Sequence, residues 1–239
     1  MSVPPPTDEA GLSDSEEWTA PVGDSGDPLP TLGRDLQFEG AVWSVVTDHV
    51  DFDGRGARRD VIVHPGAVAV IALDAEDRVL LIRQYRHPVG RYLFEPPAGL
   101  LDATGEPPWA TAQRELAEES GYRARHWDVL LDLYTSPGGL SEAIRIYLAR
   151  GLAALPDGRP HTGEAEEAHL PRAWVPLDEA RDLVLSGAVG SPSAVAGILA
   201  AWASRATGWT SLRPPETPWP AREHLLASDR VRLPRRNGA

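Results

Sequence analysis

Cysteine and lysine are both absent from this chain of 239 residues. Without cysteine there is no disulfide, thiolate nucleophile or thiolate metal ligand, so any metal ion must be held by oxygen or imidazole groups. The lack of lysine excludes Schiff-base catalysis and a phosphate loop that depends on a lysine. All 23 basic residues are therefore arginine, whose planar guanidinium can bind phosphate or carboxylate in a bidentate manner.

Long apolar runs are missing as well, and no stretch of about 18 apolar residues could cross a bilayer. The formal charge of −12 argues against a nucleic-acid partner, because neutralising phosphates requires a basic surface. The chain starts without the basic and apolar regions of a signal peptide, so we expect a cytoplasmic protein. With 42% hydrophobic residues, it can bury a core.

Composition divides the chain into four regions. Residues 1–32 contain six prolines, seven acidic residues and no basic residue, which predicts a disordered tail. Residues 33–64 are expected to form a β-rich N-terminal region, and residues 65–212 the main domain. Residues 213–239 are rich in proline and arginine and are predicted to form an extended arm.

Strand-like and helix-like segments follow one another without a regular alternation. Strands are predicted at 41–50, 59–64, 66–73, 79–85, 127–134 and 143–149. Helices are predicted at 107–120, 178–186 and 192–206. This mixture indicates the α+β class or an α/β/α sandwich around a mixed β-sheet, and the consecutive strands at the N-terminal side are expected to form an antiparallel sheet.

Three carboxylates share one stripe of the helix predicted at 107–120. Glu115, Glu118 and Glu119 are spaced i, i+3 and i+4, so their side chains lie on the same face. They repel one another near the helix C-terminus, where the macrodipole also disfavours anions. A hard divalent cation that prefers oxygen ligands would compensate, although a solvated helix face is the simpler alternative.

The surrounding sequence carries a longer pattern. From Glu106 to Tyr122 it has the form Glu-(7)-Arg-Glu-Leu-Ala-Glu-Glu-Ser-Gly-Tyr, which closely resembles the Nudix box of hydrolases that cleave nucleoside diphosphates linked to another group. Gly99 stands seven residues before Glu106, one more than the pattern specifies. The departure implies one inserted residue in the turn at 102–105.

Features outside the box are similar to one branch of that family, the ADP-ribose pyrophosphatases. Pro137 follows Tyr122 by fifteen residues, a spacing found in members that act on ADP-ribose. The resemblance extends over residues 35–220, although Gly139 stands where relatives often carry an aromatic residue. It implies the Nudix fold and metal-dependent hydrolysis of ADP-ribose to AMP and ribose 5-phosphate.

The resemblance also assigns the metal site. It implies that Glu115, Glu118, Glu119 and the carbonyl of Ala98 hold two or three ions of Mg²⁺, or alternatively Mn²⁺. Arg114 would orient the glutamates.

Substrate-binding and base residues are implied in the same way. Glu167 would be the general base, although Glu164 and Glu166 lie in the same polar loop. Four residues are expected to contact the substrate: Arg86, Arg59, Glu142 and Pro137. Taken alone, each arginine would more simply be an ordinary surface residue.

Relatives of this branch form homodimers by exchanging N-terminal strands, and residues 35–62 would supply those strands here. Two other functions remain open. The chain could hydrolyse a different nucleoside diphosphate sugar, or it could be a non-catalytic Nudix sensor that binds ADP-ribose.

Overall fold

The computed structural model describes residues 21–103, 105–160 and 170–232. The strands are β1 (Thr31–Glu39), β2 (Ser44–Phe52), β3 (Arg55–Val63), β4 (Ala67–Ala72), β5 (Arg78–Arg86), β6 (Arg91–Glu95), β7 (Ala98–Leu100), β8 (Tyr122–Tyr134), β9 (Ala143–Ala154) and β10 (Arg172–Pro176). The helices are α1 (Pro108–Ser120), α2 (Leu177–Leu185), α3 (Pro192–Ala206) and α4 (Pro220–Ala227). A short 3₁₀ turn at His87–Val89 joins β5 to β6.

A mixed four-stranded sheet, in the order β7-β4-β9-β8, forms the centre of the fold. Strands β4 and β9 are parallel, whereas the outer pairs are antiparallel. Every residue of β4 is buried, as expected for a strand covered on both faces.

Successive residues of β4 point into two separate cores, because side chains alternate between the faces of a strand. Ala69 and Ile71 pack with residues of α2 and α3 on one side. Val68 and Val70 pack with residues of α1 and α4 on the other side. The predicted α/β/α sandwich around a mixed sheet is therefore confirmed.

Two antiparallel sheets complete the fold. One has the order β1-β2-β3, and the other has the order β10-β5-β6. The first is the N-terminal sheet, and its first strand begins at Thr31, two residues earlier than the predicted β-region. It carries exposed apolar side chains, namely Leu32, Leu36, Phe38, Val42 and Trp43.

The helices predicted at 107–120, 178–186 and 192–206 are confirmed to within one residue at each end. The C-terminal segment differs from the extended arm that its composition suggested. Residues 220–227 form α4, which begins with Pro220 in its first turn. Trp219 and Leu225 are buried against the main core and hold this helix in place.

The expected disordered tail lies mostly in residues 1–20, outside the described part of the chain. Residues 21–30 have no regular secondary structure and are exposed. Within the described ranges, no helix is long and apolar enough to cross a membrane.

Candidate active site

Helix α1 carries the three carboxylates and is fixed at both ends by its sequence. Pro108 occupies the first turn, where a missing N–H costs nothing. Gly121 ends the helix in the left-handed conformation at a φ of 72°, and its N–H donates to the Ala117 carbonyl at 2.9 Å. Ala112 and Leu116 are fully buried and anchor the helix to the sheet.

Two of the three glutamates are buried, which their spacing alone did not predict. Glu115 is 7% exposed and Glu119 is 4% exposed, whereas Glu118 lies at the surface edge. The Oε2 atom of Glu119 accepts a hydrogen bond from the Ala98 N–H at 2.8 Å. This bond joins the helix to β7 and places the Ala98 backbone beside Glu119.

Arg114 forms hydrogen bonds with three carboxylates, one before α1 and two within it. Its Nη1 atom lies 2.7 Å from Glu115 Oε1 and 2.9 Å from Glu118 Oε2. The Nε and Nη2 atoms donate to Glu106 at 3.2 and 3.1 Å. These hydrogen bonds raise the pKa of Arg114, and they hold the pKa of Glu106 below its usual value.

Gly99 allows the closest approach between β7 and α1. A Cβ atom at this position would lie 2.0 Å from Glu115 Oε1, which real atoms do not tolerate. Any side chain at position 99 would therefore displace the Glu115 carboxylate. The turn that follows includes Gly105, whose φ of 82° suits glycine.

The donor set suits a hard divalent cation, because it consists of carboxylates and a backbone carbonyl. In the described residues, no three His, Asp or Glu side chains form a ready metal cage. Arg114 instead holds one oxygen each of Glu115 and Glu118. The residues therefore fit a divalent cation in chemical type, and its binding would require Arg114 to release the oxygens that it holds.

The residues predicted to contact substrate lie on different elements of the fold. Arg86 lies on β5, and its Nε donates to the buried carboxylate of Glu95 at 2.7 Å. Arg59 is exposed on β3, with its guanidinium 5.0 Å from the centre of the Phe52 ring. Pro137 is exposed in the loop after β8.

A cavity of about 520 Å³ brings Arg59 and Pro137 together. It is also lined by Tyr134, Asp48 and Arg230, from three other parts of the chain. Neither Arg86 nor the α1 carboxylates line it.

Glu142 has local partners that its predicted role did not include. Its Oε2 atom accepts a hydrogen bond from Thr135 Oγ1 at 2.6 Å, and its Oε1 atom lies 3.5 Å from His64 Nδ1. Burial lowers the pKa of His64, although Glu142 opposes the shift. Glu142 thus closes the loop that carries Pro137.

Glu164, Glu166 and Glu167 lie outside the described residues. Two buried carboxylates were missed by sequence reasoning: Glu95, which accepts from Arg86, and Asp48, which accepts from Arg34. For Glu95, the signal that could have revealed it was an acidic residue directly after the apolar and aromatic run at 92–94 and directly before Pro96 and Pro97.

Comparison with known proteins gives consistent matches. The chain is 43% identical over 202 residues to an ADP-ribose pyrophosphatase of Mycobacterium tuberculosis, covering 84% of this chain and 96% of that protein. It is 37% identical over 151 residues to a methanol dehydrogenase activator of Bacillus methanolicus, covering 63% of this chain and 80% of that protein.

A solved structure described as an ADP compounds hydrolase has the same fold. Its TM-score is 0.60 at 23% identity, and the match covers 87% of this chain and all of that one. The family described as NUDIX domain matches residues 63–194, which include β4, β7 and the whole of α1. With the carboxylate helix and its glycine contact in place, these matches show that the chain belongs to the Nudix family.

Proposed function

We propose that this protein hydrolyses the pyrophosphate bond of ADP-ribose and releases AMP and ribose 5-phosphate. The 43% identity to an ADP-ribose pyrophosphatase along nearly its whole length carries the choice of substrate. The presence of all three α1 carboxylates, Glu115, Glu118 and Glu119, supports hydrolysis rather than binding alone, because non-catalytic Nudix modules commonly lose them.

Nudix hydrolases depend on divalent metal ions, and we propose two or three ions of Mg²⁺, or Mn²⁺ in their place. When bound, such ions neutralise the pyrophosphate and lower the pKa of a water molecule. Glu115, Glu118, Glu119 and the Ala98 carbonyl would hold them. Arg114 keeps the carboxylates of Glu115 and Glu118 oriented toward one another.

The other predicted residues would act on the substrate itself. Glu95 accepts a hydrogen bond from the Nε atom of Arg86 and so orients the guanidinium. The remaining N–H groups of Arg86 would then bind a phosphate. Arg59 and Pro137 would contact the part of the substrate that enters their shared cavity. Glu167 is proposed as the base that takes a proton from the attacking water.

The test is turnover of ADP-ribose by the purified full chain with Mg²⁺ and with Mn²⁺, with AMP measured by chromatography. A panel that includes GDP-mannose and other nucleotide sugars should give slower turnover than ADP-ribose. Faster turnover of another nucleotide sugar would show that this compound, and not ADP-ribose, is the preferred substrate.

A non-catalytic sensor is the alternative from another class, and the E119Q variant separates it from an enzyme. The sensor hypothesis expects ADP-ribose to bind without AMP appearing in either protein. Our proposal expects AMP from the wild type and almost none from E119Q.

We also propose a homodimer that exchanges N-terminal strands within residues 35–62. Exposed apolar side chains on this sheet, including Leu36, Phe38 and Trp43, support a partner there. Light scattering tests the dimer, and a monomeric mass would contradict it. A cytoplasmic location remains a prediction, and fractionation of cells that express the full chain would test it.

A further inference from the structure

The last turn of α1 contains no basic residue, although it carries Glu118 and Glu119. Its free carbonyl groups give that end a partial negative charge, which adds to the charge of the carboxylates. A cation supplied from elsewhere in the fold would stabilise this turn.

Arg172, the first residue of β10, supplies that cation. Its Nη1 atom donates to the carbonyl of Ser120, the last residue of the helix. Ser120 directly follows Glu119, so the bond acts on the peptide next to a proposed metal ligand. Sequence reasoning had no means of finding this contact, because 52 residues separate the two groups.

The position of Arg172 is fixed by its own surroundings. Its backbone pairs with Ile82 of β5, and the neighbouring Pro171 carbonyl accepts from Arg83 N–H at 2.8 Å. The guanidinium also lies 6.0 Å from the centre of the Tyr122 ring. Arg172 is an exposed residue, and its contact with Ser120 is supported by the pairing of its backbone with β5 and by the Tyr122 ring of β8.

The same helix end receives a second strand. The Leu155 N–H, just after β9, donates to the Gly121 carbonyl at 2.9 Å. Leu155 and Arg172 therefore both form hydrogen bonds with the carbonyl groups at this end of α1.

We propose that Arg172 is a positioning residue for the metal-binding carboxylates of α1. By holding the Ser120 carbonyl, it fixes the last helical turn, and so it sets where Glu118 and Glu119 point. The inference rests on the proposed function in taking those carboxylates as metal ligands.

The test measures Mn²⁺ binding by the full chain without substrate, using the electron paramagnetic resonance signal of free Mn²⁺. R172M should weaken Mn²⁺ affinity about tenfold, the lower end of the loss expected for an outer partner of a metal site. R172K keeps a positive donor and should restore affinity to within about twofold of the wild type.

R123M is the matched control, because Arg123 is an exposed arginine two residues beyond Gly121. It should bind Mn²⁺ as the wild type does. Thermal unfolding by circular dichroism, measured without metal, separates positioning from stability.

Wild-type Mn²⁺ affinity in R172M would overturn the inference. The inference would also be overturned if the loss of Mn²⁺ binding in R172M equalled the fraction of R172M that is unfolded. An equal loss of Mn²⁺ affinity in R123M would overturn it as well. Failure to release AMP from ADP-ribose would instead overturn the proposed function, because the binding measurement uses no substrate.

Discussion

The carboxylate cluster on α1 and the cavity beside Arg59 are assembled from the chain in different ways. The cluster comes from one helix of 13 residues and the short strand just before it. The cavity takes Arg59 from β3, Pro137 from the loop after β8 and Arg230 from beyond α4.

This difference separates chemistry from selectivity. Spacing along one helix is sufficient to bring the charges of the proposed metal site together. The cavity proposed to receive substrate is formed by segments that meet only after the whole chain has folded. Substitutions in the cluster should therefore reduce catalysis itself, and substitutions in the cavity should change substrate affinity.

The largest effect is expected from the cluster. E119Q removes a charge that a cation needs, and AMP release should fall by about 100-fold or more, beyond the loss of an outer-shell partner. The fold should persist, because glutamine can still accept the Ala98 N–H bond. Steady-state kinetics with a circular dichroism control would check both, and activity above a tenth of wild type would contradict the assignment.

The contact between β7 and α1 should be the next most sensitive feature. G99A places a methyl group 2.0 Å from Glu115 Oε1, so the carboxylate must move. We expect activity to fall by about 10- to 100-fold, as for other displaced metal ligands or their supports. G190A is the control, since no atom lies within 4 Å of the corresponding Cβ position and Gly190 lies away from the cavity beside Arg59. Equal activity in the two variants would show that Glu115 tolerates displacement.

The cavity should respond with a different kinetic signature. R59M removes a guanidinium proposed to contact phosphate, and KM for ADP-ribose should rise by about tenfold while kcat changes little. R58M is a suitable control, because Arg58 is the exposed neighbour on the same strand and does not line the cavity. A fall in kcat without a change in KM would place Arg59 with the catalytic groups instead.

The smallest effect concerns the N-terminal end of α1. Hydrogen bonds from Arg114 and Thr111 hold the pKa of Glu106 below 4.5, so they stabilise the folded state above that pH. E106Q should lose about 1 kcal/mol of unfolding free energy at pH 7. The difference should begin to shrink as the pH falls below 4.5, where the Glu106 carboxyl of the unfolded chain takes up a proton, and it should be lost once the pH passes the lowered pKa of the folded protein. Denaturant unfolding at several pH values would measure it, and a difference that stays constant down to pH 3 would contradict this cause.

Much of the α1 site could be predicted from sequence because its determinants are close together. Helix bounds, the Gly121 cap and the shared face of the glutamates follow from short-range rules. Other features depend on which strands lie side by side in the folded chain, and this cannot be read from short-range rules. They are the burial of Glu115, the Arg86–Glu95 pair and the local partners of Glu142. Helix α4 was missed because the high proline and arginine content of residues 213–239 suggested an extended arm. The two apolar residues that pack this helix against the core, Trp219 and Leu225, were not recognised.

The close approach at Gly99 has a consequence for chain length. The space between Gly99 and Glu115 is too small for a Cβ atom, so this close approach fixes the distance between β7 and α1. Gly105, in the turn that joins them, has no atom within 4 Å of the corresponding Cβ position. A residue inserted next to Gly105 is therefore expected to reduce activity less than a methyl group added at Gly99.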